Sequence, residues 1–387
     1  MHVVVVGGGI VGMASAYYLR ERGAEVTVVE KSEIGSGASR RGSGGIRAQF
    51  ETPVSIDLSL RSMEAWEAFG SEFGVDVGYR RPGYLLLARE EATAAVFRRN
   101  VATQNERGVP AEVISPAAAA ERCPAIDPDR YVAAAYSPTD GYALAPERAV
   151  DGFAAAAREA GVSVRTGVEV TDVVGGDGDR VTGVETTAGR ERADYVVNAA
   201  GAWGERVAAM AGVDVPITPR RRRVAVVEPS RPVREGDPMT FDYGRSLYMR
   251  PARDGGVLLA GGFRGDDDAA DPDGYDEGVA DEWVRAALDR GAEFADYFEP
   301  GLPVERRWAG LYAVTPDYHP VIEESVPGFV NAVGFSGHGF MQAPAAGELV
   351  AEIAVDGAAS LVDVSALAAD RFERGELLPD AHGELYS

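Results

Sequence analysis

The chain has 387 residues, of which 45% are hydrophobic and 26% charged, the composition of a folded globular protein with roughly two to three domain-sized cores. Asp and Glu number 61 against 38 Lys and Arg, a formal net charge of −23, which electrostatically opposes broad binding to nucleic-acid phosphates or anionic lipid headgroups. Cys123 is the single cysteine, and His2, His319, His338 and His382 are widely dispersed, so an intramolecular disulfide, a cysteine metal cluster and a paired-histidine metal site are all disfavoured.

Val3 to Val6 read as a buried parallel strand, and Gly7, Gly9 and Gly12 form a G-x-G-x-x-G turn. The pattern of Ala14, Ala16, Tyr17 and Leu19 then predicts a helix ended by Gly23, and Glu25 to Glu30 a second strand. In such a β-α-β unit Gly7 makes the tight turn, Gly9 admits a pyrophosphate close to the backbone, and Gly12 lets helix and strand pack closely. The helix N-terminus faces the phosphates, and Glu30 stands where a carboxylate accepts hydrogen bonds from an adenosine ribose. That carboxylate disfavours a 2′-phosphate, so NADP is not expected.

Residues 32 to 46 are rich in Ser and Gly, a composition suited to backbone draped against a ligand; a flexible linker is the alternative. Thr52 and Pro53 open a helix that Phe69, Phe73 and Gly74 close. Residues 78 to 142 change character, with a strand at Tyr84 to Leu87, a helix from Glu90 to Gly108, and prolines 116, 124 and 128. Pro146 opens a further helix ended by Gly161. Strands are expected at 162–165, 168–174 and 181–187, with a hairpin turn at Gly175 to Gly178, and another strand from Tyr195 leads into Ala200, Gly201 and Trp203. From Arg222 to Leu311 alternating strands include Leu247 to Arg250 and Val257 to Ala260. Nine of the seventeen residues from Asp266 to Glu282 are acidic, a pattern read as a solvated surface loop. The four arginines 220 to 223 are not read as a nucleic-acid site, given the net charge.

These features together resemble the FAD-dependent oxidoreductases that include D-amino acid oxidase, glycine oxidase and sarcosine oxidase. The resemblance rests on the glycine turn with Glu30, on Ser36-Gly37-Ala38-Ser39 followed by Gly45-Ile46-Arg47, on Asn198 to Trp203, on Thr315-Pro316-Asp317, and on Gly334 to Met341, with a similar ending from Asp363 to Phe372. It implies an α/β (α+β) fold. A discontinuous Rossmann-like FAD-binding domain would comprise residues 1–77, 143–216 and 312–387, and a second, mainly antiparallel-sheet substrate domain residues 78–142 and 217–311.

The resemblance implies non-covalent FAD bordered by Gly7, Gly9, Ile10, Val11, Gly12, Glu30 and Lys31, then by Ser36, Ala38, Ser39, Arg40, Arg41, Gly44, Gly45 and Ile46. Val170, Ala200, Gly201, Trp203, Gly310, Gly337, His338, Gly339, Phe340 and Met341 complete the set. Related enzymes tether their flavin at the positions of Gly310 or Arg41, and neither residue here is a Cys or His. The implied reaction is oxidation of a small amino acid or N-methylated amine, with a hydride passing from the carbon bearing nitrogen to the flavin and the resulting imine hydrolysed by water. Arg47 is the implied cation for a substrate carboxylate, a role its forked guanidinium suits; an arginine pinning the glycine-rich loop or the cofactor is the alternative. Tyr248 and Arg250, two apart on a strand, project to one face and are candidates to line the pocket. Tyr312 stands where glycine oxidase has its carboxylate-binding arginine. His338 is either structural or catalytic.

Two lysines used near the flavin by monomeric sarcosine oxidase correspond here to Leu259 and Met341, which weakens the expectation of fast oxygen reduction and favours another electron acceptor. Competing readings are a flavin-bearing subunit or assembly factor of a larger complex, an FAD-dependent 2-hydroxy-acid dehydrogenase, and, more distantly, an NAD enzyme, for which the motifs at 198–203 and 334–341 have no use. The partners expected are a small-molecule amine or amino acid and an electron acceptor or partner subunit. No leader-like or membrane-spanning run is recognised, so a cytoplasmic protein is expected. Lys31 is the single lysine. Near-complete replacement of lysine by arginine, with the acidic balance, resembles halophilic archaeal proteins.

Overall fold

In the computed structural model, residues 1–175, 180–262 and 269–379 are described. Most of the glycine turn expected at 175–178, the start of the acidic run at 266–268, and His382 lie outside them.

The first valine run, His2–Val6, sits inside a six-stranded sheet in the order Val321–Val326, Phe329–Val333, Tyr195–Asn198, His2–Val6, Glu25–Glu30 and Ser163–Thr166. All pairings are parallel except that of the two strands at the 321–333 edge. A parallel strand covered on both faces needs apolar side chains at every position, which is why the valines do not alternate with polar residues. Val3 and Val5 pack on helices, whereas Val4 and Val6 pack on an antiparallel meander of Val170–Val174, Gly183–Thr186 and Gly189–Arg192. The meander's last strand carries no apolar pattern, and it was not foreseen for that reason.

Helix Ile10–Glu21 leaves the first strand at the glycine turn. A Cβ on Gly12 would lie 2.0 Å from the Gly7 carbonyl oxygen, so only glycine lets the helix start so close to the turn. The same helix packs on Gly339–Ala351, where a Cβ on Gly347 would stand 2.7 Å from the Ala14 backbone. Helix Pro53–Phe73 is capped by the Thr52 hydroxyl, which accepts from the Ser55 N–H, and ends at Gly74 in the left-handed conformation (φ 65°). Its Trp66 donates to the Met341 carbonyl at 2.9 Å and stacks on Phe340, fixing the 337–341 turn against the helix layer.

An eight-stranded sheet runs in the order Val304–Val314, Thr218–Val227, Val257–Gly261, Leu247–Pro251, Met239–Asp242, Tyr84–Ala88, Ala133–Ser137 and Glu112–Ile114. Only the Met239–Asp242 and Tyr84–Ala88 pair is parallel. One face, with Leu85, Leu87, Leu247, Met249 and Leu259, packs with Trp283 and Leu288 of helix Asp281–Ala292. The alternate residues Tyr84 and Tyr248 turn the other way, toward the six-stranded sheet and the cavity between the two sheets. The helix expected from Glu90 to Gly108 spans Glu91–Glu106 and lies beside this sheet.

Candidate functional site

A cavity of about 710 Å³ runs between the glycine turn and the eight-stranded sheet. At one end the N-cap of the first helix is Gly9, which has no side chain to accept from the first-turn N–H groups. Ser39 fills part of that gap, its hydroxyl accepting from the Ile10 N–H at 2.9 Å. Glu30 accepts from the N–H groups of Gly8 at 2.7 Å and Ser32 at 2.8 Å, which fixes its carboxylate at the cavity wall. A carboxylate has about four lone-pair sites, so these bonds leave acceptor capacity for ribose hydroxyls.

The described part of the acidic run is exposed, yet it is tied to the cavity rim. Pro272, Asp273, Tyr275 and Glu277 line the cavity, and the carboxylates pair with cations around it. Lys31 donates to Asp273 at 2.6 Å while its ammonium sits 3.9 Å above the Trp203 ring. Trp203 Nε1 and Arg206 converge on the same carboxylate, and Arg41 bonds Glu277 at 2.6 Å. The Lys31 hydrogen bond, with those of Trp203 and Arg206, holds Asp273 well below the ordinary carboxylate range. The described carboxylates of the run are all exposed, as a surface loop requires; counting charges gives that exposure but not which cations the carboxylates face.

Toward the other end, Arg47 lines the cavity while only 2% exposed. Its guanidinium donates to the Gln49 carbonyl and, at 3.4 Å, to His338 Nε2, and it covers the Phe50 ring at 4.0 Å. Because Arg47 is the donor, His338 Nε2 is the acceptor and its proton sits on Nδ1. Burial, reinforced by the Arg47 charge, holds the His338 pKa well below its usual value, so the ring is neutral at neutral pH. The eight-stranded sheet gives the cavity an aromatic wall: Tyr84 stacks on Phe241 (5.5 Å between centroids), which stacks on Tyr248 (4.6 Å) across three strands. Tyr312 completes the enclosure, its ring so close to Gly337 that a Cβ there would stand 2.4 Å away.

The cavity brings together nearly all the residues singled out from sequence, and leaves four outside. Gly12 and Ile46 are packed behind the lining. Arg40 turns outward to Asp151, 2.6 Å away. Arg250 is a correction: it donates to the carbonyls of Ser43 and Pro251, each at 2.7 Å, and burial pulls its pKa down to about 10. Strand alternation predicts its side but not its reach, and the loop carbonyl of Ser43 captures it first. Leu259 packs on the face away from the cavity. Tyr84, Met239, Phe241, Arg222 and Tyr318 line the cavity without having been foreseen. Four of them are aromatic or basic, but they come from strands and a turn far apart in the chain, and no local pattern brings them together.

A family model described as "DAO: FAD dependent oxidoreductase" matches residues 2–353. The chain belongs to this family of FAD-dependent oxidoreductases. The solved L-proline dehydrogenase from P. horikoshii is similar to it with a TM-score of 0.87 and 36% identity, over 97% of this chain and 99% of that one. "FAD-dependent oxidoreductase domain-containing protein 1" of Xenopus laevis is 32% identical over 96% of this chain and 82% of its own length. Sarcosine oxidase subunit beta of Rhizobium meliloti (strain 1021) is 30% identical over 98% of this chain and 90% of its own length. FAD is the cofactor of this family, and the glycine-lined end fits it. A Cβ on Gly9 would meet only Ser39 Oγ, at 3.2 Å, and one on Gly201 nothing within 4 Å, so the cradle is open where a dinucleotide backbone would lie. No helix among the described residues is long and apolar enough to cross a membrane.

Proposed function

We propose that this FAD-dependent oxidoreductase oxidises a small α-amino acid whose nitrogen is secondary or N-methylated, with proline and sarcosine as the representative chemistries. The observation that carries this reading is the buried guanidinium of Arg47 in one cavity with the stacked Tyr84–Phe241–Tyr248 wall, whose Tyr84 hydroxyl stands 2.6 Å from where a Cβ on Gly45, two residues before Arg47, would lie. A fixed cation suits a carboxylate, and ring faces suit both the apolar carbon frame and the partial positive charge of an alkylated nitrogen. The likeness to an L-proline dehydrogenase and to a sarcosine oxidase subunit agrees with it.

FAD, when bound, supplies the two-electron acceptor for the C–H bond beside nitrogen. Arg47 fixes the carboxylate, and so fixes which carbon is presented. His338, neutral and accepting from Arg47, keeps that guanidinium oriented without adding a second positive charge. The aromatic wall excludes water from the reacting carbon until the product imine leaves to be hydrolysed. Gly7 to Val11, Glu30, Ser36 to Ser39, Ala200 and Gly201 would hold the cofactor, with the turn 337–341 along the flavin's carbonyl edge. Residues 78–142 and 217–311 are proposed as the substrate domain.

We further propose that FAD is held without a covalent bond. The two tethering positions of related enzymes converge here, since a Cβ on Gly310 would lie 3.0 Å from Arg41 Cβ, and neither residue offers a nucleophile. A second reading, a flavin-bearing subunit that works with partner chains, is favoured by the likeness to a subunit beta along 90% of that protein's length. One experiment tests both. Flavin-loaded protein is titrated anaerobically with L-proline, sarcosine, glycine, D-proline and lactate while flavin absorbance is followed. Bleaching by proline or sarcosine before glycine supports the proposal; bleaching by lactate alone makes it a hydroxy-acid enzyme, and no bleaching supports the subunit reading.

A further inference from the structure

Segment Arg47 to Glu51 carries the proposed substrate anchor and has no regular structure of its own beyond Ile46. Something else must hold it still, because a guanidinium displaced by 1 Å loses bidentate geometry. Two amide side chains of helix Glu91–Glu106 do part of this. Asn100 and Gln104 are one helical turn apart and share a face. Gln104 Nε2 donates to the Phe50 carbonyl at 3.0 Å, and Asn100 Nδ2 reaches Glu51 Oε1 at 3.5 Å.

Behind the segment lies a cavity of about 10 Å³ among buried side chains, lined by Gln49, Gln104, Asn100 and Glu51 on its polar sides and by Phe97 and Leu86 on its apolar ones. Gln49 is 1% exposed and Gln104 3%, yet both polar atoms of the Gln49 amide and Oε1 of Gln104 make no hydrogen bond to protein. Leaving a buried amide unpartnered is costly, and a space of this size with two to four polar partners is what one internal water requires.

We propose that this cavity binds one ordered water between Gln49 and Gln104, and that Gln104, Gln49 and this water are positioning elements for Arg47. The connection is short: the Gln49 side chain would hold the water while its backbone carbonyl accepts from the Arg47 guanidinium. The helix therefore reaches the anchor through one side chain, one water and one residue's backbone, without touching substrate or cofactor. This inference rests on the proposed role of Arg47.

The test uses the flavin-loaded protein and pyrrole-2-carboxylate, a planar carboxylate with no oxidisable C–H beside nitrogen, whose binding is read from the flavin absorbance change. Gln104→Met keeps length and burial but removes the donor and the water's partner. Expected is roughly tenfold weaker probe binding, the worth of about one hydrogen bond, with a matching rise in KM for an oxidised substrate, unchanged kcat and unchanged FAD content. A high-resolution crystal structure of the unaltered protein should show a single water within hydrogen-bond distance of both glutamines. Probe affinity equal to the parent in Gln104→Met overturns the positioning role. A dry cavity overturns the water site, even if the variant fails to fold. Arg47→Lys separates this inference from the reading beneath it. Unchanged probe binding there removes the anchor itself, whereas weaker binding there with parental binding in Gln104→Met overturns only the bracing.

Discussion

Asp140→Asn is the substitution whose outcome can be worked furthest from the structure. The Asp140 carboxylate is wholly buried, and neither oxygen makes a hydrogen bond of good geometry. Burial pushes its pKa up to about 6 from the ordinary 3.8, although the N–H groups of Ala48 and Gln49, the Arg47 charge and the Ser137 hydroxyl all oppose the shift. A raised carboxylate pKa means that the folded state binds the proton more tightly than the unfolded chain. The group therefore costs nothing below about pH 4, and its penalty grows as pH rises through 4 to 6 and is constant above. Two pKa units correspond to about 3 kcal/mol. The asparagine variant removes the buried charge, so it should be more stable than the parent by about 1–3 kcal/mol at pH 8, the lower figure allowing for the lost attraction to Arg47. The gain should be the same at pH 8 and 7 and should shrink from about pH 6 to pH 5. Urea unfolding of both proteins at pH 5, 6, 7 and 8 measures it. A variant less stable than the parent at pH 8 would refute the reasoning, because it would mean that pairing with Arg47 outweighs the cost of burying Asp140.

Three further outcomes are expected. Arg371 is 2% exposed and bonds Asp317 through two nitrogens, at 2.7 and 3.1 Å, with the Asp317 side chain fully covered; Arg371→Met leaves a buried carboxylate uncompensated and should cost about 3–5 kcal/mol in urea unfolding at pH 8. A cost below 1 kcal/mol would show that water reaches Asp317. Acid precipitation should release all the flavin into the supernatant, and flavin absorbance remaining in the washed pellet would contradict the non-covalent proposal. With a net charge of −23, screening at molar salt, where the Debye length is about 3 Å, should support activity that falls as KCl is withdrawn. Full activity and stability in dilute buffer would count against adaptation to high salt.

The cofactor end of the site was legible because local pattern and chemistry coincide there. A valine run, three glycines at fixed spacing and a terminal Glu30 lie within thirty residues and need no distant partner to be interpreted. The aromatic wall was not legible for the opposite reason. Tyr84 and Phe241 meet only because the strand Tyr84–Ala88 pairs in parallel with Met239–Asp242, more than 150 residues away, and no local periodicity encodes that pairing. Arg250 shows a different limit: alternation assigns a face correctly, while the length of an arginine lets it bind the carbonyl of Ser43 from behind the lining. The acidic run shows a third, since the partners of Asp273 and Glu277 come from Lys31, Arg206 and Arg41, all supplied by other parts of the chain.

The central claim is that one cavity oxidises a secondary amine by holding its carboxylate at Arg47. Anaerobic flavin reduction by L-proline, compared with reduction by pyrrolidine, the same ring without the carboxylate, tests it most directly. The account predicts rapid bleaching of the flavin-loaded protein by proline, slow bleaching by pyrrolidine, and loss of that discrimination in Arg47→Ala. Equal rates for the two rings in the unaltered protein, or undiminished preference for proline in Arg47→Ala, would contradict it.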